Sequence, residues 1–332
     1  MDTFELGNFQ LTTGYTIPNA TLAYTTHGTL NDAKDNAVLF PNFLGGSDQA
    51  LEIYIGEGRP LDPARHFVIL PGQFGNGYSS SPSNTPPPFD RGAFPPINIA
   101  DDVIAQHRLI TEHFGISELQ LVLGWSVGAL QTFEWAVRFP QMVKRMASIA
   151  GAPQPSPWTL HWLYAVIEEP VTTDPAWNNG FYAAAMDVQA GLRRQAHIMA
   201  LTLPPVGYMN PETLGALGFA SAQDFVRGFF EGFMVPQDPN NVIVQARKAR
   251  AADPGHGRSL RDALGGITAK TLIVAFNGDA MFPPQDGERH AGWIPGARYE
   301  QKTTRSGHLT TFALFPEDRD AVDSAIRDAL AL

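Results

Sequence analysis

Five residues, Gly124-Trp125-Ser126-Val127-Gly128, constrain this chain more than any other feature. They lie between an apolar run, Leu119–Leu123, and a stretch, Val127–Phe139, whose apolar residues recur on a 3.6-residue period up to Pro140. That pattern predicts a buried strand turning directly into a helix. A serine on so tight a turn adopts a strained backbone, and the flanking glycines remove side chains that would collide there. The hydroxyl is then exposed above the sheet edge, beside a helix N-terminus that favours developing negative charge. Ser126 reads as a nucleophile. The N–H of Val127, directly after it, reads as one donor to an oxyanion.

The rest of the chain repeats the same rhythm. Short runs rich in β-branched and aromatic residues predict buried strands at Thr21–Thr26, Ala37–Phe43, Phe67–Leu70, Met146–Ala150 and Thr271–Phe276, with a weaker one at Ala297–Gln301. Helices are predicted at Ile99–Phe114, with Asp101 and Asp102 in its first turn, and at Ala321–Leu332. Strands alternating with helices specify an α/β fold, a mostly parallel central sheet with helices on both faces. Two stretches break the rhythm. Pro71–Pro96 is crowded with Gly, Ser, Asn and Pro and reads as a long loop; Trp158–Leu264 is helical in pattern and holds no convincing strand. The expected organisation is one core in two parts, residues 1–156 and 265–332, interrupted by a helical lid over residues 157–264.

A serine alone is a weak nucleophile and needs a base oriented by a third group. On this architecture the chain order is serine, acid, histidine. Five histidines follow Ser126, and His161, His197 and His256 fall in the helical insertion. His290 lies in a helix-like stretch, Gln285–Trp293, and reads as a surface residue. His308, in Ser306-Gly307-His308 after the last strand, can fold back over the sheet edge and is the expected base. Asp279 follows the Thr271–Phe276 strand in Asn277-Gly278-Asp279 and is the expected acid; Asp286 and Glu288, on the next helix, are its rivals. Asn-Gly-Asp is also ordinary turn chemistry. The second oxyanion donor is expected from Asn42-Phe43-Leu44-Gly45-Gly46, with the Leu44 N–H preferred to that of Phe43.

Composition excludes several alternatives. Of 332 residues, 44% are hydrophobic and 17% charged, enough for a large core and against disorder. The net charge of −10 disfavours nucleic acid and anionic membranes as partners. With no cysteine, thiolate zinc sites and cysteine nucleophiles are excluded. The histidines show no metal-ligand spacing, and no Gly-x-Gly-x-x-Gly follows the first strand, so neither a metal nor another cofactor is expected. No apolar run reaches the length of a membrane helix and no secretory signal is visible, which predicts a cytoplasmic protein. Phe43, Trp125, Trp158, Trp162, Phe229, Phe230 and Phe233 are candidates to line an apolar pocket.

Three segments, HFVILPGQFGNGYSSSPS, FPPINIADDVIAQHRLI and GWSVGALQTFEWAVRFPQMVKRMASIAG, carry a resemblance to the homoserine O-acetyltransferase family of α/β-hydrolases. AKTLIVAFNGDAMFPP and SGHLTTF are similar to that family's acid and histidine segments. The resemblance implies an α/β-hydrolase core with a helical lid, a Ser126–Asp279–His308 triad, and a homodimer formed through the lid. The chain also departs from the transferase pattern. Trp125 and Ala129 stand where two glycines are typical, which bulks up the pocket floor. Leu309 follows the histidine where an aspartate suits a substrate ammonium. His197–Pro204 lacks the lid arginine that suits an amino acid's carboxylate. A zwitterion in an apolar site without those partners loses several kcal/mol. The pattern therefore resembles the ester-cleaving relatives, which act on short alkyl esters such as acetates. The alternative is an O-acyltransferase using acyl-CoA and a small alcohol such as homoserine.

Overall fold

Strands at the centre of the sheet are apolar almost without interruption because both of their faces are covered. The computed structural model describes residues 1–332. Its eight strands are β1 (Asp2–Gln10), β2 (Thr16–His27), β3 (Ala37–Leu39), β4 (Phe67–Pro71), β5 (Leu121–Trp125), β6 (Arg145–Ile149), β7 (Lys270–Phe276) and β8 (Arg298–Lys302). They form one sheet in the order β1-β2-β4-β3-β5-β6-β7-β8. β1 and β2 pair antiparallel, as do β2 and β4, and every later pairing is parallel. Successive side chains alternate between the faces. Leu121, Leu123 and Trp125 enter one apolar cluster and Val122 the other; Leu272 and Val274 enter the first and Ile273 the second. Helices Ile99–Arg108 and Val127–Arg138 cover the face of Val122, and helix Pro316–Ala331 covers the opposite one.

Several boundaries differ from the sequence reading for local reasons. β1 has only Leu6 and Phe9 buried, so this edge strand carries no apolar run to betray it. β3 stops at Leu39, short of the expected Phe43. Phe40 still donates to the Ile69 carbonyl, but Pro41 has no N–H to continue the ladder. Residues 40–43 then pass under the Val127–Arg138 helix. β5 begins at Leu121, because Leu119 makes only an isolated bridge to Val143, and it runs on through Trp125. The last helix starts at Pro316 rather than Ala321, with proline in its first turn followed by Glu317 and Asp318. His290 is helical as expected but is not on the surface: it is 3% exposed.

The stretch between β6 and β7 contains no strand. Its helices gather a separate apolar cluster that includes Trp162, Met199, Phe225 and Phe230, and this cluster extends onto Leu44, Val127 and Leu309. The insertion thus rests on the turn that carries Ser126. No helix of the chain is long and apolar enough to cross a membrane.

Candidate active site

Ser126 sits at φ 52° and ψ −124°, a conformation that costs on the order of 1–3 kcal/mol for a residue with a Cβ. The surroundings enforce it. The Ser126 N–H is shared between the Ile149 and Ala150 carbonyls at 3.2 Å each, which ties the turn to the end of β6. The two motif glycines serve close approach rather than an unusual φ. A Cβ on Gly124 would lie 2.3 Å from the Gly128 carbonyl oxygen, and one on Gly128 would lie 2.6 Å from that of Pro41. Gly151 has a related part, since a Cβ there would meet Ala129 at 2.3 Å.

His308 converges on this turn from 182 residues further along the chain, and Asp279, 29 residues before His308, joins it there. His308 Nε2 is 3.1 Å from Ser126 Oγ, and His308 Nδ1 is 2.8 Å from Asp279 Oδ2. Asp279 is held in turn: its Oδ1 accepts the N–H groups of Met281 and Phe282, both at 2.9 Å. With that carboxylate fixed as an acceptor, Nδ1 carries the imidazole proton and Nε2 faces the serine as a base. All three residues are buried. Asp286 instead pairs with Arg289, and Glu288 is exposed on the same helix.

The histidine loop is pinned from several sides. Ser306 Oγ donates to Asp318 Oδ2 at 2.6 Å, and Thr311 Oγ1 donates to the His308 carbonyl at 3.0 Å. Tyr54 donates to the Thr311 carbonyl at 3.1 Å. Burial raises the pKa of the Asp318 carboxyl, against the pull of the Ser306 hydroxyl.

Opposite the serine, the loop 42–46 is gripped by side chains rather than by secondary structure. Asn42 Nδ2 donates to buried Asp48 at 2.8 Å, and Gln131 donates to the Asn42 carbonyl at 2.8 Å. Gln73 donates to the Phe43 carbonyl at 2.8 Å, and Gln245 accepts from the Gly45 N–H at 3.0 Å. The N–H groups of Leu44 and Val127 meet no acceptor within the protein. Burial outweighs the hydrogen bonds from Thr25 and Asn42 at Asp48 and raises its pKa.

Next to Ser126 lies a cavity of about 40 Å³ lined by Phe43, Leu44, Trp125, Trp162, Met281 and other apolar groups; apart from His308 it has no ionisable side chain. This space is roomier than the roughly 10–15 Å³ that admits a single water. A larger apolar cavity of about 340 Å³ adjoins it. Met199, Leu203, Phe233 and Phe312 line both. Leu309, expected in the serine pocket, lines the second cavity instead, together with Phe229 and Phe230. Trp158 lines neither: it is 56% exposed, and its indole donates to the Ala280 carbonyl. Met281, with Sδ 4.0 Å from Ser126 Oγ, is a pocket residue that the sequence reading did not single out. The chain holds no group of three or more acidic or histidine side chains placed to bind a metal ion.

A sequence profile described as the alpha/beta hydrolase fold matches residues 36–312. The chain belongs to the α/β-hydrolase-fold family. Within it, the chain is 40% identical to the ethyl acetate hydrolase of Pseudomonas veronii over 330 residues, covering 98% of this chain and 94% of that one. Among solved structures it is similar to the acetyl esterase MekB, with 39% identity, a TM-score of 0.96, and coverage of 100% and 96%. A homoserine O-acetyltransferase of Trichormus variabilis is 31% identical over 312 residues, covering 90% of this chain and 86% of that one.

Proposed function

We infer that this protein is a serine carboxylesterase for short-chain alkyl esters of the acetate type, working through an acyl-enzyme on Ser126. The observation that carries the reading is the connected set Ser126–His308–Asp279, at 3.1 and 2.8 Å, opening onto a small cavity without a charged clamp. The named activities of the two esterase relatives agree with it.

In this mechanism Ser126 Oγ attacks the ester carbonyl while His308 Nε2 takes its proton, and Asp279 stabilises the imidazolium. The oxyanion of the tetrahedral intermediate is held by the N–H groups of Leu44 and Val127. His308 then gives its proton to the leaving alcohol, and the acyl group stays on Ser126. Water deprotonated by the same imidazole attacks the acyl-enzyme, and the carboxylic acid departs. The small cavity suits the acyl group as an acetyl. The adjoining apolar cavity suits an alkyl portion. The helices of residues 157–264 act as a lid over both, and the homodimer implied by the family resemblance would form through that lid.

Replacing Ser126 with Ala tests the reading: turnover of p-nitrophenyl acetate and ethyl acetate should fall by several orders of magnitude, because nucleophile and base act as a unit. Retention of most of the activity would refute the assignment. The acyltransferase alternative predicts thiol release from acetyl-CoA that depends on homoserine. The absence of a charged clamp in the cavity, where a zwitterion would need one, argues against it.

A further inference from the structure

The loop that carries Leu44 is connected to a cation buried deep in the protein. Lys248, on helix Pro239–Arg250 of the insertion, is 0% exposed, and so is its partner Asp102 on helix Ile99–Arg108 of the core. Three acceptors surround Lys248 Nζ: Asp102 Oδ2 at 2.6 Å, Gln73 Oε1 at 2.9 Å and the Phe74 carbonyl at 2.8 Å. Nζ donates hydrogen bonds to Gln73 and to the Phe74 carbonyl, and the buried carboxylate of Asp102 is the counter-charge of the ammonium. The Phe74 N–H closes the arrangement by donating to Asp102 Oδ1 at 2.8 Å.

Gln73 passes this charge on. Its carbonyl oxygen accepts from the ammonium, and its amide nitrogen donates to the Phe43 carbonyl at 2.8 Å. The Phe43 carbonyl and the Leu44 N–H belong to one peptide group. A hydrogen bond to the carbonyl end of a peptide polarises its N–H end and makes it a stronger donor. A second chain runs the same way. Trp135 donates to Gln106 at 2.8 Å, Gln106 donates to Gln131 at 2.6 Å, and Gln131 donates to the Asn42 carbonyl at 2.8 Å. Every amide in both chains points its N–H toward the loop.

Resting on the esterase reading above, we propose that Lys248 and Gln73 are positioning residues that orient and polarise the Leu44 N–H as an oxyanion donor, so that a cation in the insertion strengthens the transition-state contact without touching substrate. The isosteric substitution Gln73→Glu tests it. A glutamate keeps the size and the contact with Lys248 but offers the Phe43 carbonyl an oxygen in place of an N–H. Loss of a whole oxyanion donor costs about 100- to 1,000-fold in kcat, so disturbing one through its peptide should cost about tenfold or more, with KM within about threefold. Affinity for a trifluoromethyl ketone, which forms a tetrahedral alkoxide on the serine, should fall in parallel. Gln73→Met should lose less than Gln73→Glu, and the double variant Lys248→Met with Asp102→Asn should change in the same direction.

If Gln73→Glu retains kcat within about twofold, or loses less than Gln73→Met, polarity is irrelevant and the proposal is overturned. Should Gln73→Glu fail to fold, the double variant decides alone, and unchanged kcat and ketone affinity there overturn the proposal. Labelling of Ser126 by a fluorophosphonate, carried to completion in each variant, keeps the two readings apart. An active Ser126→Ala enzyme sinks the esterase mechanism, whereas a labelled, fully active Gln73→Glu enzyme sinks only the relay.

Discussion

Asp279→Asn is the substitution for which the geometry dictates the chemical consequence. Asp279 Oδ1 accepts two backbone N–H groups, from Met281 and Phe282, while Oδ2 faces His308 Nδ1. An asparagine satisfies those two donors only with its carbonyl oxygen, which turns its NH₂ toward Nδ1. His308 must then accept at Nδ1 and carry its proton on Nε2, the nitrogen 3.1 Å from Ser126 Oγ. A protonated Nε2 cannot take the serine proton. The same tautomer inversion in a serine triad costs about 10,000-fold in kcat, roughly 5 kcal/mol of barrier. Stability should change little, by about 1 kcal/mol, because the size and the two backbone hydrogen bonds are retained. The assay is the steady-state hydrolysis of p-nitrophenyl acetate beside a thermal melt, with Asp286→Asn and Glu288→Gln as controls. Asp286 is tied to Arg289 and Glu288 faces solvent, so both controls should stay within about twofold of the wild type. An Asp279→Asn enzyme within tenfold of the wild type, or a control that fails as badly, would show that another group orients the imidazole.

Three further outcomes follow from other parts of the molecule. Burial depresses the His290 pKa from 6.5 to about 4, and Nδ1 has no partner. The folded state therefore resists protonation that the unfolded chain accepts: the contribution is present above pH 6.5 and is lost as pH falls toward 4, about 3 kcal/mol in all. Urea unfolding at pH 4.5 and 7 should show this slope in the wild type and a flatter one in His290→Phe. Burial pushes the Asp102 carboxyl up to about 6 against the pull of Lys248, so Lys248→Met alone, which strands that carboxyl, should destabilise by about 3–5 kcal/mol. Adding Asp102→Asn should recover part of that loss in chemical denaturation. Phe233 lines both cavities, and Phe233→Ala should favour longer acyl chains. Each newly accommodated methylene is worth about 0.8 kcal/mol, or roughly fourfold in kcat/KM across a series of p-nitrophenyl esters. An unchanged chain-length profile would exclude Phe233 from the selectivity wall.

The parts of the site that can be read from sequence are those where the chain must break a local rule. At Ser126 an apolar strand meets an apolar helix with no room for a loop, and Gly124 and Gly128 mark where backbones nearly touch. Asp279 and His308 lie beyond the ends of β7 and β8, where a parallel sheet turns its loops toward one edge. The buried position of His290 left no such mark. Its helix is polar in composition, and it is buried because Gly287 packs against Tyr299 and Ile273 of the neighbouring strands. Leu309 adjoins His308 in sequence yet faces the other cavity, because residues 307–312 form a 3₁₀ turn that sends adjacent side chains in different directions.

The loop around Leu44 is the opposite case to Ser126. Gly45, at φ 69°, and Gly46, where a Cβ would meet the Phe43 ring at 2.7 Å, permit its turn, but residues 42–46 alone do not fix the direction of its peptides. The amides that hold it come from positions 73, 131 and 245, and each looks like ordinary surface polarity in its own stretch of sequence. Uncharged amides carry both a donor and an acceptor, so they can bridge a backbone carbonyl to a buried charge without bringing a charge of their own beside the Leu44 N–H. A lysine or arginine in place of Gln73 would put a second cation next to Lys248, and an aliphatic residue would leave the Phe43 carbonyl without its donor. Glutamine meets both requirements, and only the folded arrangement brings them together.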